Sequence, residues 1–156
     1  MKKLLIYVDT SVIGGCEDPE FSRASLALWK RFIRGDFVQI LSEYTLRELA
    51  GAPQKIRDRL QEIPASCQIV IPDTPDADSL AQAYLDRGIV GPGSQADALH
   101  VAMATVGKAD VLVSWNFKHV VNLGRIRLFN AVNLEQGYGP VEIRSPLEVL
   151  SDEEDF

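Results

Sequence analysis

Short apolar runs alternate with stretches of helical periodicity along this chain, and that alternation restricts the fold more than any other feature. Leu4 to Val8, Phe37 to Leu41, Gln68 to Ile71 and Val111 to Ser114 are each of strand length. Longer segments with a 3.6-residue rhythm separate them. Strands that alternate with helices pair in parallel and bury both faces of their sheet. The expected fold class is therefore α/β, a three-layer sandwich around a mainly parallel central sheet, with the C-terminal strand ends sharing one edge.

The helical segments can be bounded from their end signals. Ser22 to Arg34 reads as amphipathic, with Leu26, Leu28, Trp29, Phe32 and Ile33 turned inward. Ser42 is a candidate N-cap for a helix through Leu49. Ala52-Pro53 opens a segment to about Ile63, with Pro53 in the first turn, where its missing N–H costs little. Pro75 to Arg87 closes on Gly88, and Ser94 to Val106 opens with Ser94-x-x-Asp97, a capping-box-like pattern, and ends at Gly107. Asn122 to Gln136 is predicted helical despite Gly124. Val141 to Ile143 is a candidate edge strand before a Pro146-Leu147-Glu148 turn.

A chain of 156 residues with 46% hydrophobic content suits one domain with one sizeable core, here residues 1–150. The acidic stretch Ser151 to Phe156 is expected to be a frayed C-terminal tail. No apolar run reaches the roughly 18 residues of a membrane span, and the apolar stretch after Met1-Lys2-Lys3 is too short for a signal peptide. A cytoplasmic location is the expectation. Cys16 and Cys67 form no C-x-x-C pair and are expected to be inert packing thiols.

A net charge of −6 argues against a nucleic-acid binder that works through a basic surface. Carboxylates gathered around divalent cations would reverse that local sign. Asp9 is the prime candidate, because it interrupts the end of a buried strand, where a carboxylate is costly to desolvate unless paired or metal-bound. Glu48 and Asp97 are the other acids to group with it, and Asn116 follows the fourth apolar run. Carboxylates without a neighbouring His or Cys favour Mg²⁺ or Mn²⁺ over zinc. Taken alone, Asp97 also fits a capping carboxylate and Glu48 an exposed helix residue. Thr10, Ser11 and Ser114 carry hydroxyls able to orient the acids or hold water, although turn chemistry and helix capping use the same residues. His100, one turn after Asp97, is expected to be a hydrogen-bonded core residue.

Val8-Asp9-Thr10-Ser11, Leu46-Arg47-Glu48-Leu49, Ala96-Asp97-Ala98-Leu99-His100-Val101-Ala102 and Val113-Ser114-Trp115-Asn116-Phe117-Lys118-His119 resemble, in order, the successive motifs of PIN-domain nucleases. The likeness is closest to VapC-type toxins of toxin–antitoxin pairs and runs over essentially the whole chain. It implies a PIN-like α/β/α sandwich and an endoribonuclease dependent on Mg²⁺, with Mn²⁺ as a substitute. Asp9, Glu48 and Asp97 match the family's three acidic positions, and Asp9 and Asp97 would be the main metal ligands. Asn116 stands where many members carry a fourth Asp, two residues after Ser114. An amide oxygen can ligate Mg²⁺ but brings no charge, so a second ion is expected to bind more weakly. Transfer or ribosomal RNA, an antitoxin protein and a second copy of the chain are the partners implied.

Lys55, Arg57 and Arg59, and Lys118, Arg125 and Arg127, could contact phosphates, but Asp58 and Glu62 interrupt the first set and a solvated helix face is the better account, so none is named as a binding residue. A haloacid-dehalogenase-type phosphatase needs an acid where Ser11 stands, and Gly91-Pro92-Gly93-Ser94 lacks the features of a P-loop or dinucleotide loop. The rival reading from a different class is a catalytically weakened PIN-like module that binds RNA or protein.

Overall fold

The computed structural model describes residues 2–150, so the expected acidic tail, Ser151 to Phe156, lies outside the described residues. Five strands, β1 (Leu4–Val8), β2 (Phe37–Ser42), β3 (Gln68–Ile71), β4 (Val111–Val113) and β5 (Glu142–Arg144), form one sheet in the order β3-β2-β1-β4-β5. Every pairing is parallel, with Tyr7 opposite Ile40 on β2 and Leu112 on β4. The sheet grows from β1 first to one side and then to the other. Its topological switch point lies between β1 and β4, where open α/β sheets leave a crevice beyond the strand ends.

The strand pleat sorts side chains between two cores. Ile6, Val8, Val111 and Val113 face one layer, which holds α1 (Thr10–Gly15), α2 (Ser22–Ile33) and the partly buried Ile56 and Leu60 of α4 (Gln54–Gln61). Tyr7, Ile40, Leu112 and Ile143 face the other, formed by α5 (Pro75–Asp86), α6 (Gln95–Val106) and α7 (Leu123–Glu135). Two short helices, α3 (Glu43–Leu49) and α8 (Pro146–Val149), complete the fold. Leu28, Phe32, Leu80, Phe129 and Ile143 are essentially inaccessible, and each such side chain contributes about 1.5–3 kcal/mol of burial free energy. No helix among the described residues is long and apolar enough to cross a membrane.

Several end signals act as the sequence suggests. Ser42 caps α3 by accepting the Thr45 N–H; Asn122, expected from the sequence as the first helical residue, is instead the N-cap of α7 and accepts the Arg125 N–H. Gly88 follows α5 at φ 67°, a left-handed position that suits glycine. Other expectations need correction. Ser94 makes no side-chain cap bond, so the capping-box reading of Ser94 and Asp97 fails and Asp97 has another partner. Ile33 is 39% exposed, because α2 presents Ala24, Leu28, Trp29 and Phe32 to the core and Ile33 falls past that face. The final strand is Glu142–Arg144, one residue later than expected, and the turn after it closes into α8 with a Ser145/Glu148 capping box. Both cysteines are buried, as expected, and burial pushes the Cys16 thiol up to about 12.

The helix α1 is the element missed in the sequence. Six residues are too few to show a period, and Thr10-Ser11 reads equally well as a turn. Its last residue is under a strict size limit. A Cβ at Gly15 would lie 2.6 Å from the Ser25 hydroxyl and 2.9 Å from Trp115 Nε1, two atoms already hydrogen-bonded to each other at 2.9 Å.

Candidate active site

The backbone N–H of Asp9 makes one last sheet bond, to the Val113 carbonyl at 3.3 Å, and the chain then turns into α1. Asp9 is the extended N-cap of that helix, where an acceptor serves the unpaired N–H groups of the first turn. Its Oδ1 accepts the Ser11 hydroxyl at 2.6 Å and the Val12 N–H at 3.3 Å. Ser11 Oγ in turn accepts the Trp115 N–H at 3.0 Å, and the fully buried Ser114 hydroxyl also supports Asp9. The carboxylate is thus held by hydroxyls and one amide. It is 4% exposed, and burial pushes its pKa above the ordinary aspartate range. The charge of His100 and the bonds from Ser11 and Ser114 oppose that rise without cancelling it.

Asn116 approaches Asp97 across the gap between β4 and α6. Its Nδ2 donates to Asp97 Oδ2 at 3.1 Å, its Oδ1 accepts the His119 N–H at 2.9 Å, and its own N–H donates to Ser114 Oγ at 3.0 Å. Ser114 Oγ thus fixes the Asn116 backbone, and the neighbouring Trp115 N–H, bonded to Ser11 Oγ, ties the same stretch to Asp9. Asn116 is the partner that Asp97 has in place of a capping role.

Glu48 is held differently. Its Oε1 accepts the Thr10 hydroxyl at 2.6 Å and lies 2.7 Å from His100 Nε2. An ionised carboxylate only accepts, so Nε2 carries the proton between them. Burial works to raise the Glu48 pKa, but the bonds from His100 and Thr10 outweigh it and leave it lowered. Glu48, expected from the sequence to be an acid without a nearby His, therefore has one, because α6 brings His100 against it. His100 Nδ1 meets the Tyr7 hydroxyl at 2.7 Å, and Tyr7 donates onward to Ser42 Oγ at 2.9 Å, which lies 3.0 Å from Thr45 Oγ1. His100 is a hydrogen-bonded core residue, as its position suggests, and the same bonds tie it to the site.

Tyr7, Ser42 and Thr45 are the members the sequence did not reveal. Tyr7 sits inside an apolar run, and only the pleat, which turns it away from Ile6 and Val8 toward α6, makes its hydroxyl relevant. Burial holds the Tyr7 phenol above its ordinary range, so it stays protonated. The basic residues do not join this cluster. Arg59 pairs with Glu17 and Glu62, and Arg125 donates to the Lys118 and Ile89 carbonyls.

Whether these residues suit a divalent cation can be judged from their chemistry. Among the described residues no three His, Cys, Asp or Glu side chains are gathered to hold a metal, which argues against a closed zinc-like cage. Mg²⁺ needs no such cage, since it keeps several waters and takes one or two carboxylates. Asp9, buried with neutral donors around it, and Asp97, whose Oδ2 accepts a neutral amide, fit that demand. Glu48 fits less well, because Oε1 already serves two donors.

No family model matches the chain, and no curated protein matches it in sequence. Eleven chains of solved structures match it. One belongs to the crystal structure of VapBC2 from Rickettsia felis bound to a DNA fragment from their promoter, with a TM-score of 0.57 at 12% identity. The match covers 91% of this chain and 98% of that one. At that identity the likeness is one of fold, and it agrees with the all-parallel five-stranded sheet flanked by helices: the chain has a PIN-like α/β/α fold, similar to that of a chain in the VapBC2 complex.

Proposed function

We propose that this protein is a divalent-metal-dependent endoribonuclease, the toxin of a toxin–antitoxin pair, acting in the cytoplasm. The observation that carries this reading is that Ser11 Oγ, bonded to both Asp9 and the Trp115 N–H, brings Asp9 beside Asn116 and its partner Asp97 at the switch point of a PIN-like sheet. Asp9 and Asp97 are the residues to hold Mg²⁺ or Mn²⁺. When bound, such an ion supplies positive charge to a phosphodiester and activates water for its hydrolysis. Ser11 and Ser114 orient Asp9, and Asn116 fixes Asp97. Glu48, kept ionised by Thr10 and His100, accepts a hydrogen bond from a water or a ribose hydroxyl at the rim.

Transfer or ribosomal RNA loops are the proposed substrates, with 5′-phosphate and 3′-hydroxyl products. The proposed partners are an antitoxin, by analogy with the VapBC2 assembly, and a second copy of the chain. One observation favours a rival, a PIN-like module that binds without cutting: the Asn116 oxygen is engaged by the His119 N–H. The test is cleavage of a mixed transfer-RNA and ribosomal-RNA pool in Mg²⁺ or Mn²⁺, beside EDTA and an Asp9→Asn control. Discrete metal-dependent fragments, absent from the control, are expected. No cleavage by folded, antitoxin-free protein, with RNA binding that survives EDTA, would transfer the assignment to the binder.

A further inference from the structure

We propose that Asn116 limits the site to one divalent cation by presenting an amide N–H, rather than a ligand oxygen, to the Asp97 carboxylate. The inference rests on the metal-dependent reading and concerns how many ions that site takes. A backbone N–H can only donate and an ionised carboxylate can only accept, so the partners of Asn116 leave its amide one satisfied orientation. Oδ1 must face the His119 N–H, and Nδ2 must face Asp97 Oδ2. Rotating the amide by half a turn would set oxygen against carboxylate and NH₂ against N–H, two repulsive contacts in place of two bonds. The bond from the Asn116 N–H to Ser114 Oγ anchors the residue at its backbone as well. The amide oxygen, which the sequence reading offered as a possible Mg²⁺ ligand, is therefore turned away from Asp97.

The N–H also does locally what a second cation would otherwise do, placing partial positive charge on Asp97 Oδ2. An aspartate at 116 would keep one oxygen on the His119 N–H. Its other oxygen would take the place of Nδ2, 3.1 Å from Asp97 Oδ2. Two ionised carboxylates that close repel strongly and call for a cation between them. One amide in place of one carboxylate thus separates a one-ion site from a two-ion site in this geometry.

The test counts bound Mn²⁺ on EDTA-stripped, RNA-free protein, by the loss of the free-Mn²⁺ electron paramagnetic resonance signal. Thermal unfolding with and without Mn²⁺ accompanies it. Expected values are one Mn²⁺ per chain for the parent, none for Asp9→Asn and two for Asn116→Asp, with a larger Mn²⁺-induced rise in Tm for Asn116→Asp than for the parent. Two ions on the parent would overturn the inference and leave the nuclease reading standing, and so would an unchanged count on folded Asn116→Asp. No ion on the parent would overturn both. The parent count does not depend on the variant folding, so the question is decided even if Asn116→Asp is unstable.

Discussion

Asp9 and Glu48 line one site, yet the protein holds them in opposite electrostatic conditions. Asp9 is buried among neutral donors, and burial dominates its titration. Glu48 has a side chain 26% exposed, and its bonds to His100 and Thr10 outweigh its burial. The comparison teaches where a cation is needed. A carboxylate already satisfied by a histidine and a threonine gains little from a metal, whereas one whose charge is under-compensated gains a great deal. The energetic cost concentrated at Asp9 is the kind of local instability that functional sites carry and the rest of a fold compensates.

The sharpest way to break the comparison is Asp9→Asn. Loss of about 4 kcal/mol of metal-borne stabilisation would lower RNA cleavage about 10³-fold. The same variant should be more stable than the parent without metal, since its amide oxygen still accepts from Ser11 and Val12 while the buried charge is gone. A Tm equal to or below that of the parent would show that Asp9 is not under strain. His100→Ala should cost about 2–4 kcal/mol in denaturant unfolding, from a cavity together with the partner that both the Tyr7 hydroxyl and Glu48 Oε1 lose. Tyr7→Phe keeps the ring and should cost about 1–2 kcal/mol, because it strips the hydroxyl from His100 and Ser42. Glu48→Gln should cost less than about 1 kcal/mol, since its pair with His100 is partly screened and the amide oxygen still accepts.

Dependence on pH separates the two acids by sign. Asp9 has a folded pKa raised above 3.8, so its contribution is fully favourable below that value and is lost as pH rises through the folded pKa. Glu48 has a folded pKa lowered below 4.5, so its contribution is present above that value and is lost as pH falls through the folded pKa. In metal-free buffer, the Tm advantage of Asp9→Asn should grow as pH is raised from about 4, and the deficit of Glu48→Gln should grow over the same rise. Differences that stay flat with pH would place both effects in packing rather than charge.

The fold was legible because its signals are local and repeated. Apolar runs at Leu4, Phe37, Gln68 and Val111 mark four strands, and Ser42 and Gly88 act at the helix ends where they were read. Asp9 was legible for the same reason, since a charge at the end of an apolar run is visible without a structure. The bonds between site residues were not. Whether Asp97 caps its helix or meets Asn116, and whether Glu48 stands free or meets His100, depends on contacts spanning 19 and 52 positions. Ser94-x-x-Asp97 was a sound local pattern overridden by such a contact. Tyr7 went unremarked because strand periodicity tells which face a side chain takes but not what its hydroxyl finds there.

The central place of β1 has a consequence for how the protein comes into being. Asp9 is made well before the strand that completes its surroundings, β4, which begins at Val111, and Leu5 and Asp110 are hydrogen-bonded across 105 positions. Synthesis proceeds from the N-terminus at about 5–20 residues per second, and contacts that distant in sequence close late in folding. The emerging chain therefore carries Asp9 and Glu48 for some time before Ser114 and Asn116 exist to finish the site. A site arranged this way is incomplete until β4 slots in beside β1, so its parts meet only after both halves of the sheet have been made.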